Sequence, residues 1–302
     1  MPLFDDPEVY RAILEGMQTG VYVVDRLGKI LLWNAGAERI TGYLRQDMLG
    51  RQATDDFLGY LDTENNALAG EMSPVAKTFR DGKPQEAEIS LQHKSSHRVP
   101  VRLRTVPVRN ALGAIVGVAE CFDESMQVAD WGRRQSKLAT YGCLDEASGV
   151  MNHGMVQSHL REAISMFAEH PIPFSVLSIG VDELESHKTR QGPGAVAHIL
   201  HVVGQTLEHS LRPTDFLGRW NENEFLAVIR ECGAGESGRV CERLRKMVRS
   251  AKVEWWGDTL TVSVSMGATS VKEGDTVELI VERAETALRE SSKQGGSRVI
   301  VA

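Results

Sequence analysis

The chain has 302 residues, enough for two hydrophobic cores at about 150 residues per domain. Its 34 Lys and Arg against 41 Asp and Glu give a net charge of −7, which excludes the overall positive field of a general DNA or RNA binder. With 42% hydrophobic and 25% charged residues, the composition is that of an ordinary folded protein and excludes a disordered or fibrous one.

The start of the chain, its apolar stretches and its cysteines indicate the cellular compartment. The chain starts with the acidic stretch MPLFDDPEVY, and no later stretch approaches the roughly 18 apolar residues of a membrane span. The cysteines show neither C-x-x-C spacing nor the density of a disulfide framework, which suits a reducing compartment. We therefore expect a cytoplasmic protein with no membrane partner and with buried thiols at Cys121, Cys143, Cys232 and Cys241.

The first half predicts an antiparallel sheet with helices on one face. A helical pattern over residues 9–17 comes first, turn chemistry near Gly28 separates the first two strands, and a further helix is predicted over 74–79. Strands are predicted over residues 20–25, 29–34, 85–93, 98–108 and 114–122. Two strands, a helical middle and three strands indicate an α+β domain.

The second half alternates differently, which argues against one continuous sheet. Helices are predicted over residues 155–168, 196–211, 237–251 and 277–292. Strands are predicted over residues 174–181, 216–220, 224–229, 259–269 (a long strand) and 298–301. The order is that of a β-α-β-β-α-β core, as in ferredoxin-like folds.

Between the halves, residues 124–142 are predicted to form a linker or signalling helix. Val128, Trp131, Leu138 and Tyr141 are spaced so that they could pair two chains as a short coiled coil, which predicts a homodimer. A plain linker helix that packs on its own domain is the alternative, since the seam covers only about two heptads. The expected domains are residues 7–123 and 143–302.

The run GVYVVDRLGKILLWNAGAERITGY, followed by DGKPQEAEI and HRVPV, resembles a PAS domain over residues 7–123. The resemblance depends on the strand-strand-helix order with Trp33, Asn34 and the step Gly42-Tyr43. It implies a sensory module that holds a small molecule or nothing between its sheet and helices, and that often dimerises. The ligand is left unknown.

Specific PAS ligands find no support in the sequence. The segment SPVAKTFRDG (73–82) contains neither a histidine for haem nor a cysteine for a flavin adduct. His93 and His97 flank a short turn and could face each other as metal ligands. Two nitrogens without further ligands make a poor zinc site, so solvated hairpin residues are the favoured interpretation.

The second half resembles the GGDEF family, bacterial cyclases that condense two GTP into cyclic di-GMP. The matching segments, in order, are LDEASGVMNH (144–153), RWNENEFLAVI (219–229), VSVSMGAT (262–269) and AETALRESSKQGGSRVIVA (284–302). The first segment keeps Asp145, Gly149 and Asn152 of the family's opening motif. The resemblance implies a nucleotidyl-cyclase-like fold and a role in cyclic di-GMP signalling.

The resemblance also implies where metal ligands should lie. The family holds two divalent cations on acidic side chains, which activate the attacking hydroxyl. Gly180 stands at the first acidic position, and Asp182 matches a second aspartate two residues on. For Asp182, a helix N-cap is an equally good interpretation.

The signature hairpin departs from the family at three of its five positions. Asn221 and Glu222 replace two glycines that leave room for the nucleotide, and Asn223 replaces the acidic metal ligand. Glu224 matches, as does the phenylalanine after it; without metal partners, Glu224 is interpreted as a strand residue kept for turn geometry.

Base and phosphate contacts implied by the resemblance are also lost. The two guanine-reading positions hold Lys188 and Ala197, and the phosphate-binding positions hold Ser292 and Gly296. Lys293 could substitute if the register shifts by one. Joint loss of several oriented charges predicts little turnover.

An inhibitory-site motif remains. Many family members bind the product through R-x-x-D, five residues before the signature; this chain has Arg212 and Asp215, then FLGRW, then Asn221. Arg243 falls where the family often supplies a second arginine. Arginine forks suit guanine edges or phosphates, and a carboxylate accepts from guanine N–H groups. The alternative is that Asp215 only pairs with Arg212 at a helix end.

Three functions therefore stay open. The leading hypothesis is a PAS-GGDEF signalling protein with an inactive, degenerate cyclase domain that acts as a cyclic di-GMP receptor or protein-interaction module. The second is an active diguanylate cyclase that uses Mg²⁺ on Asp182 and Glu224 and holds GTP with Lys293. The third is a scaffold that binds no nucleotide and pairs with itself or with another signalling protein.

Overall fold

The computed structural model describes residues 7–53, 57–124 and 142–302, which form two compact units that divide at residue 126. The predicted seam of Val128, Trp131, Leu138 and Tyr141 lies outside the described residues. Among the helices of the described ranges, none combines the length and the apolar composition that a membrane span requires.

The N-terminal unit contains a five-stranded antiparallel sheet in the order β2-β1-β5-β4-β3. Its strands are β1 (Gly20–Asp25), β2 (Ile30–Trp33), β3 (Gln85–Gln92), β4 (Arg98–Arg109) and β5 (Ile115–Glu124). Its helices are α1 (Pro7–Gly16), α2 (Ala35–Thr41), α3 (Arg45–Met48) and α4 (Pro74–Asp81), with a 3₁₀ turn at Gly70–Met72. The predicted antiparallel sheet is confirmed.

Alternation along β4 shows why one face of this sheet is covered. Val101, Leu103 and Thr105 are buried, whereas Arg102 and Arg104 between them are exposed. Because successive side chains of a strand point to opposite faces, this pattern places the core on one side of the sheet only.

Asn34 joins three parts of the N-terminal unit. Its Oδ1 accepts hydrogen bonds from the N–H groups of Val21 (2.8 Å) and Ala37 (2.8 Å), so it caps α2 and binds β1 at once. Its Nδ2 donates to the carbonyls of Leu14 (2.8 Å) and Thr19 (3.0 Å). A buried amide that is satisfied at both ends fixes how the chain enters the sheet.

The histidine pair at the β3–β4 turn is not solvated, contrary to the favoured interpretation. His93 and His97 stack with ring centroids 4.2 Å apart, and His97 is only 7% exposed. The pairing arises because the His93 N–H donates to the His97 carbonyl across the turn. Over the described ranges, no cluster of three or more His, Cys, Asp or Glu is placed to hold a metal ion.

The C-terminal unit contains a second five-stranded sheet, in the order β12-β11-β6-β8-β7. Its strands are β6 (Phe174–Val181), β7 (Phe216–Arg219), β8 (Glu224–Arg230), β11 (Val264–Ser270) and β12 (Val299–Val301), while β9 (Val253–Trp255) and β10 (Asp258–Leu260) form a separate hairpin. Its helices are α5 (His153–Glu169), α6 (Leu184–Gln191), α7 (Pro193–His209), α8 (Ala234–Ser250) and α9 (Val277–Lys293). The predicted α+β class is confirmed.

Helices cover both faces of this sheet. Val176 of β6 belongs to a core cluster with residues of α5 and α9, whereas Leu177 belongs to a cluster with residues of α7 and α8. Because both faces are buried, β6 is apolar along nearly its whole length. Gly180 lies on the α9 face, where a Cβ would stand 3.4 Å from the Leu288 methyl groups.

Two sequence predictions in this unit are wrong. The long strand over 259–269 is two strands: β11 begins at Val264 because β6, its partner, ends at Val181, and Asp258–Leu260 pairs instead with Val253–Trp255. Helix α6 was not predicted, and it shows no apolar stripe, since Leu184 is its one buried residue.

Backbone packs on backbone where α9 crosses β11. A Cβ added to Gly267 would lie 2.2 Å from the Ala284 carbonyl oxygen and 2.2 Å from the Leu288 nitrogen. Only glycine lets the helix approach this closely, and the contact fixes α9 against β11, the strand next to the edge of the sheet.

Candidate functional site

The β7–β8 hairpin carries the signature positions at its tip. Asn221 Nδ2 donates to Glu224 Oε2 (2.8 Å), and Asn221 Oδ1 accepts from the Asn223 N–H (3.1 Å). The amide of Asn221 therefore closes the turn at the position where glycine would leave space. Asn221, Glu222 and Asn223 are all exposed.

Arg219 folds back over the same tip. Its guanidinium donates to the carbonyls of Asn221 and Glu222 and lies 5.2 Å from the ring centroid of Phe225. The carbonyls of the turn are thus occupied by a cation from the preceding strand. Only the position of Arg219, two residues before Asn221, indicates this contact in the sequence.

Glu224 is half-buried and stands directly across from Gly180 in the β6–β8 ladder. Burial raises the pKa of Glu224, and the nearby Glu285 raises it further, while the hydrogen bond from Asn221 opposes the shift. Opposite residues of an antiparallel pair share a face, so an acidic residue at 180 would have lain beside Glu224. Glycine offers no ligand there.

The Asp182 carboxylate is held by the chain's own donors. Ser263 Oγ (2.6 Å) and the Ser297 N–H (3.0 Å) donate to Oδ2, and Ser265 Oγ (2.6 Å) donates to Oδ1. The N-cap interpretation is wrong: the cap of α6 is Glu183, which makes no side-chain cap bond. Asp182 instead ties the end of β6 to the start of β11 and to the segment before β12.

The positions predicted for base contacts lie on α6 and α7, and those predicted for phosphate contacts lie at and just after the end of α9. Lys188 is exposed on α6, 3.5 Å from Glu185, and Ala197 is exposed on α7. Ser292 Oγ donates to the Leu288 carbonyl (3.2 Å), which leaves that hydroxyl on its own helix.

After α9 the chain turns towards Asp182. Gly296 has φ +70°, and a Cβ at this position would stand 3.2 Å from Asp182 Oδ1. Lys293 is exposed in the last turn of the helix. The structure therefore brings Gly296 to Asp182 and Gly180 to Glu224, but Lys188 and Ala197 belong to neither pair.

The Arg212–Asp215 motif forms a tight turn before β7. The Asp215 N–H donates to the Arg212 carbonyl (2.9 Å), and the Arg212 N–H donates to Asp215 Oδ2 (3.0 Å). Asp215 Oδ1 accepts from the Arg230 N–H (3.1 Å), and Asp215 is only 3% exposed. Asp215 thus fixes the backbone of the turn while the Arg212 side chain stays exposed.

Two guanidinium groups act on this carboxylate. Burial raises the pKa of Asp215, whereas its two backbone hydrogen bonds and the charges of Arg212 and Arg243 oppose that shift. Partial desolvation lowers the pKa of Arg243, which is exposed by its accessible surface; Asp215 opposes the shift and Arg212 adds to it. The three groups predicted from the sequence are therefore electrostatically coupled, with more positive than negative charge among them.

Five residues that contact the hairpin tip, Asp182 or Asp215 were not predicted from the sequence. They are Arg219, Arg230, Ser263, Ser265 and Ser297. Ser263 and Ser265 have the two-residue spacing of one strand face, but β11 begins only at Val264, and their shared partner Asp182 is distant in the sequence.

Both units of the chain match models of known protein families. The model of the diguanylate cyclase GGDEF domain matches residues 143–298, which is 156 of 302 residues, and the model of the PAS fold matches residues 8–122. The chain belongs to the GGDEF family. It is a PAS-GGDEF protein whose C-terminal unit is like that of a diguanylate cyclase.

Individual relatives agree with this membership. Diguanylate cyclase DosC of Escherichia coli (strain K12) is 26% identical over 157 residues, 52% of this chain and 34% of DosC. Diguanylate cyclase SiaD, solved in complex with its activator SiaC from Pseudomonas aeruginosa, is 27% identical with a TM-score of 0.53 over 58% of this chain and 68% of SiaD. The chain spans about a third of the length of the curated relatives it matches.

A further solved structure shows the same fold. The GGDEF domain of DgcB from Caulobacter crescentus, in complex with c-di-GMP, has a TM-score of 0.51 and 20% identity over 53% of this chain and 95% of that domain.

Proposed function

We propose that this PAS-GGDEF protein is a cyclic di-GMP receptor whose GGDEF domain has little or no cyclase activity. The observation that carries the proposal is the turn in which the buried Asp215 accepts the N–H of the exposed Arg212 (3.0 Å), with Arg243 near enough for its charge to act on the same carboxylate. A locally cationic turn on a chain of net charge −7 is a place where an anionic dinucleotide gains binding energy.

The arginines supply the direct contacts in this proposal. A guanidinium donates two parallel hydrogen bonds to a phosphate or to a guanine edge, and the exposed Arg212 is available for this. Both oxygens of Asp215 already accept backbone N–H groups, so Asp215 acts first as a positioning residue that holds the Arg212 backbone. Each oxygen keeps a lone pair that can accept from guanine.

The residues at the cyclase positions do not fit a pair of divalent cations. Magnesium needs hard oxygen ligands with near-octahedral geometry, and carboxylates are its preferred protein ligands. Gly180 offers none, Asn223 is a neutral amide, and Asp182 already accepts hydrogen bonds from three donors of the chain, two of them on Oδ2. Only Oδ1 of Asp182 keeps a free lone pair, which is too few ligands for two cations and argues against the cyclase reaction.

Calorimetric titration of the full chain with cyclic di-GMP tests the receptor function. We expect Arg212→Ala and Arg243→Ala each to weaken binding by about tenfold or more, since a hydrogen bond to a charged group is worth roughly 1.5–3 kcal/mol. Arg239→Ala, at an exposed arginine one turn earlier on α8, is the matched control and should bind like the wild type. No binding by the wild type, or equal affinity in all variants, would refute the proposal.

Incubation with GTP and Mg²⁺ or Mn²⁺ tests the second part. We expect no cyclic di-GMP above the background of a protein-free control. GTP-dependent product that Glu224→Gln abolishes would instead establish the cyclase alternative. Absence of both turnover and binding would leave the scaffold function.

Two further features of the proposed receptor are its cytoplasmic location and its pairing into a homodimer through residues 124–142. Sedimentation of the full chain and of a variant with charged residues at Val128 and Leu138 would test the pairing. We expect a dimer for the first and a monomer for the second.

A further inference from the structure

The two edges of the C-terminal sheet differ in how they are covered. Strand β7 is closed on its outer side, because Met151 bridges to Gly218 and its carbonyl accepts the Arg219 N–H (2.7 Å). Strand β12, at the other edge, pairs with β11, and no strand within residues 142–302 lies on its outer side. An uncovered edge strand presents unpaired backbone N–H and C=O groups that can bind a further strand.

The hydrogen bonds between β11 and β12 use every second residue of β12. The Arg298 carbonyl accepts from the Met266 N–H (2.8 Å), and the Ala302 N–H donates to the Ala268 carbonyl (2.8 Å). Because the backbone groups of a strand point alternately to its two sides, Ile300, which lies between them, also bonds to β11. The intervening residues therefore have their N–H and C=O groups on the outer side.

Val299 and Val301 are these outward-facing residues. They lie symmetrically about Ile300, and Val301 is 43% exposed. No charged residue or proline occurs from Val299 to Ala302, although such residues commonly protect sheet edges against pairing. The edge is therefore open to a strand that offers two N–H and two C=O groups at the same spacing.

A groove of about 580 Å³ runs along this edge between β12 and α9. Its lining includes the apolar side chains of Ile300 and Ala287. Gly267 lies beside Ile300 in the ladder and directly against residues 284–288 of α9. Ile300 is therefore level with Thr286, which also lines the groove.

The charges along the groove are complementary to those of a second copy rotated by 180° about Ile300. The rotation places the part of α9 before Thr286 alongside the part after Thr286 in the second copy. Exposed groove residues before this point are represented by Glu282, and those after it are Arg289, Glu290 and Lys293. The first carries −1, and the other three sum to +1. Among the described residues, neither Glu282 nor Lys293 forms an ion pair.

We propose that β12 pairs in antiparallel orientation with β12 of a second copy, which joins two five-stranded sheets into one of ten strands. Four hydrogen bonds would link Val299 of each copy to Val301 of the other, and the two Ile300 side chains would meet on the two-fold axis. A three-residue strand is too short to hold two chains by itself. The pairing therefore rests on the homodimer proposed above, which raises the effective concentration of one edge at the other to roughly the millimolar range.

This pairing would keep the two signature hairpins apart. Each hairpin joins β7 and β8 at the far edge of its own sheet, so eight strand spacings, or about 38 Å, separate the two hairpins. Condensation of two GTP molecules requires the bound nucleotides to meet, and hairpins at this separation do not bring them together. The paired sheets therefore suit a binding protein and oppose the cyclase reaction.

Disulfide cross-linking of the full chain tests the pairing. Opposite residues at a non-hydrogen-bonded position have Cα atoms about 4.5 Å apart, which a disulfide can span. The background is Cys121→Ser with Cys143→Ser, which removes the two partly exposed thiols. Under copper-catalysed air oxidation we expect Ile300→Cys to form a covalent dimer at least about tenfold faster than Ala302→Cys. Ala302 lies on the same strand face, but the pairing places it about 13 Å from its copy along the strands.

Val301→Pro tests the hydrogen bonds themselves. Proline removes an N–H that β11 does not use, so an edge strand tolerates it, but the paired sheets lose two of their four new hydrogen bonds. Combined with Ile300→Cys, it should slow cross-linking by about tenfold or more. Val301→Thr keeps the N–H and the branched shape and should leave the rate unchanged.

Sedimentation of the wild-type chain distinguishes the two ways in which the proposal can fail. A dimer in which Ile300→Cys and Ala302→Cys cross-link at equal rates would overturn the edge pairing and leave the linker dimer intact. Equal rates for Val301→Pro and Val301→Thr would do the same. A monomeric wild type would overturn both the edge pairing and the homodimer.

Discussion

Ser265 Oγ donates a 2.6 Å hydrogen bond to Asp182 Oδ1, so the aspartate at the end of β6 is fastened to the neighbouring strand β11. Ser263 and Ser297 donate to its other oxygen. A carboxylate that satisfies three donors from distant parts of the chain contributes to the fold in its own right. Asp182 is therefore explained without a metal ion.

Replacing Asp182 should destabilise the C-terminal unit. Asp182→Ala removes the acceptor of three donors, and we expect the free energy of unfolding in urea to fall by about 1–3 kcal/mol. Asp258→Ala, at an exposed position of β10, is the control and should change stability by no more than about 0.5 kcal/mol. Equal stability of the two variants would show that water replaces Asp182 at no cost.

Replacement by alanine should lower the stability of the C-terminal unit at one glycine and leave it nearly unchanged at another. Gly267→Ala would force a Cβ to within 2.2 Å of backbone atoms of α9, which cannot rotate away, and should cost about 3 kcal/mol or more. Gly180→Ala meets only the Leu288 methyl groups at 3.4 Å and should stay within about 0.5 kcal/mol of the wild type. Thermal unfolding compares them, and similar melting temperatures would contradict the close contact between α9 and β11.

Glu120 should make the stability of the N-terminal unit depend on pH. Its pKa is about 7 in the folded state against 4.5 for the ordinary group, so the folded state binds the proton more tightly. The stabilisation is complete below pH 4.5 and is lost as the pH rises through 7, by roughly 3 kcal/mol in total. Glu120→Gln cannot titrate, and unfolding curves between pH 4 and about 8 should show this loss in the wild type alone. Parallel pH profiles for the two proteins would contradict the raised pKa.

The four thiols should differ in reactivity. Burial raises the pKa of Cys241 to about 12 and also raises the pKa of Cys232, whereas Cys143 is half-exposed. Because the thiolate is the reactive form, we expect a disulfide reagent at pH 8 to modify Cys143 first and Cys241 only after unfolding in urea. Cys143→Ser should abolish the fastest phase; four equal rates would argue against the buried positions.

Local patterns predicted most of the secondary structure. The mostly apolar run FSVLSIGV, which contains Ser175 and Ser178, coincides with β6, because a strand covered on both faces needs no alternation of apolar and charged residues. The same reasoning failed after residue 259, where a run of alternating residues continues although the pairing does not. The break is set by the end of β6 at Val181, which no local pattern around residue 262 contains.

The candidate site was predictable only where sequence spacing carries it. Arg212 and Asp215 lie within one turn, so their hydrogen bond follows from the motif itself. The donors to Asp182 come from residues 81 to 115 positions away, a distance over which spacing has no meaning. For the same reason the sequence offers a helix cap for Asp182 as readily as a metal ligand, although its donors lie in β11 and in the segments just before β11 and β12.

Asn34 couples the attachment of the first helix to the cap of the second. Helix α1 has no buried residue, and Tyr10 and Ile13 are about half exposed, at 51% and 50%. Its carboxyl end is held through the Asn34 amide, which at the same time caps α2 and binds β1. One rotation of this side chain would break all of these bonds together and leave the carboxyl end of the helix to the contacts of Glu15, which accepts from the Ala35 N–H (3.2 Å) and pairs with Arg45.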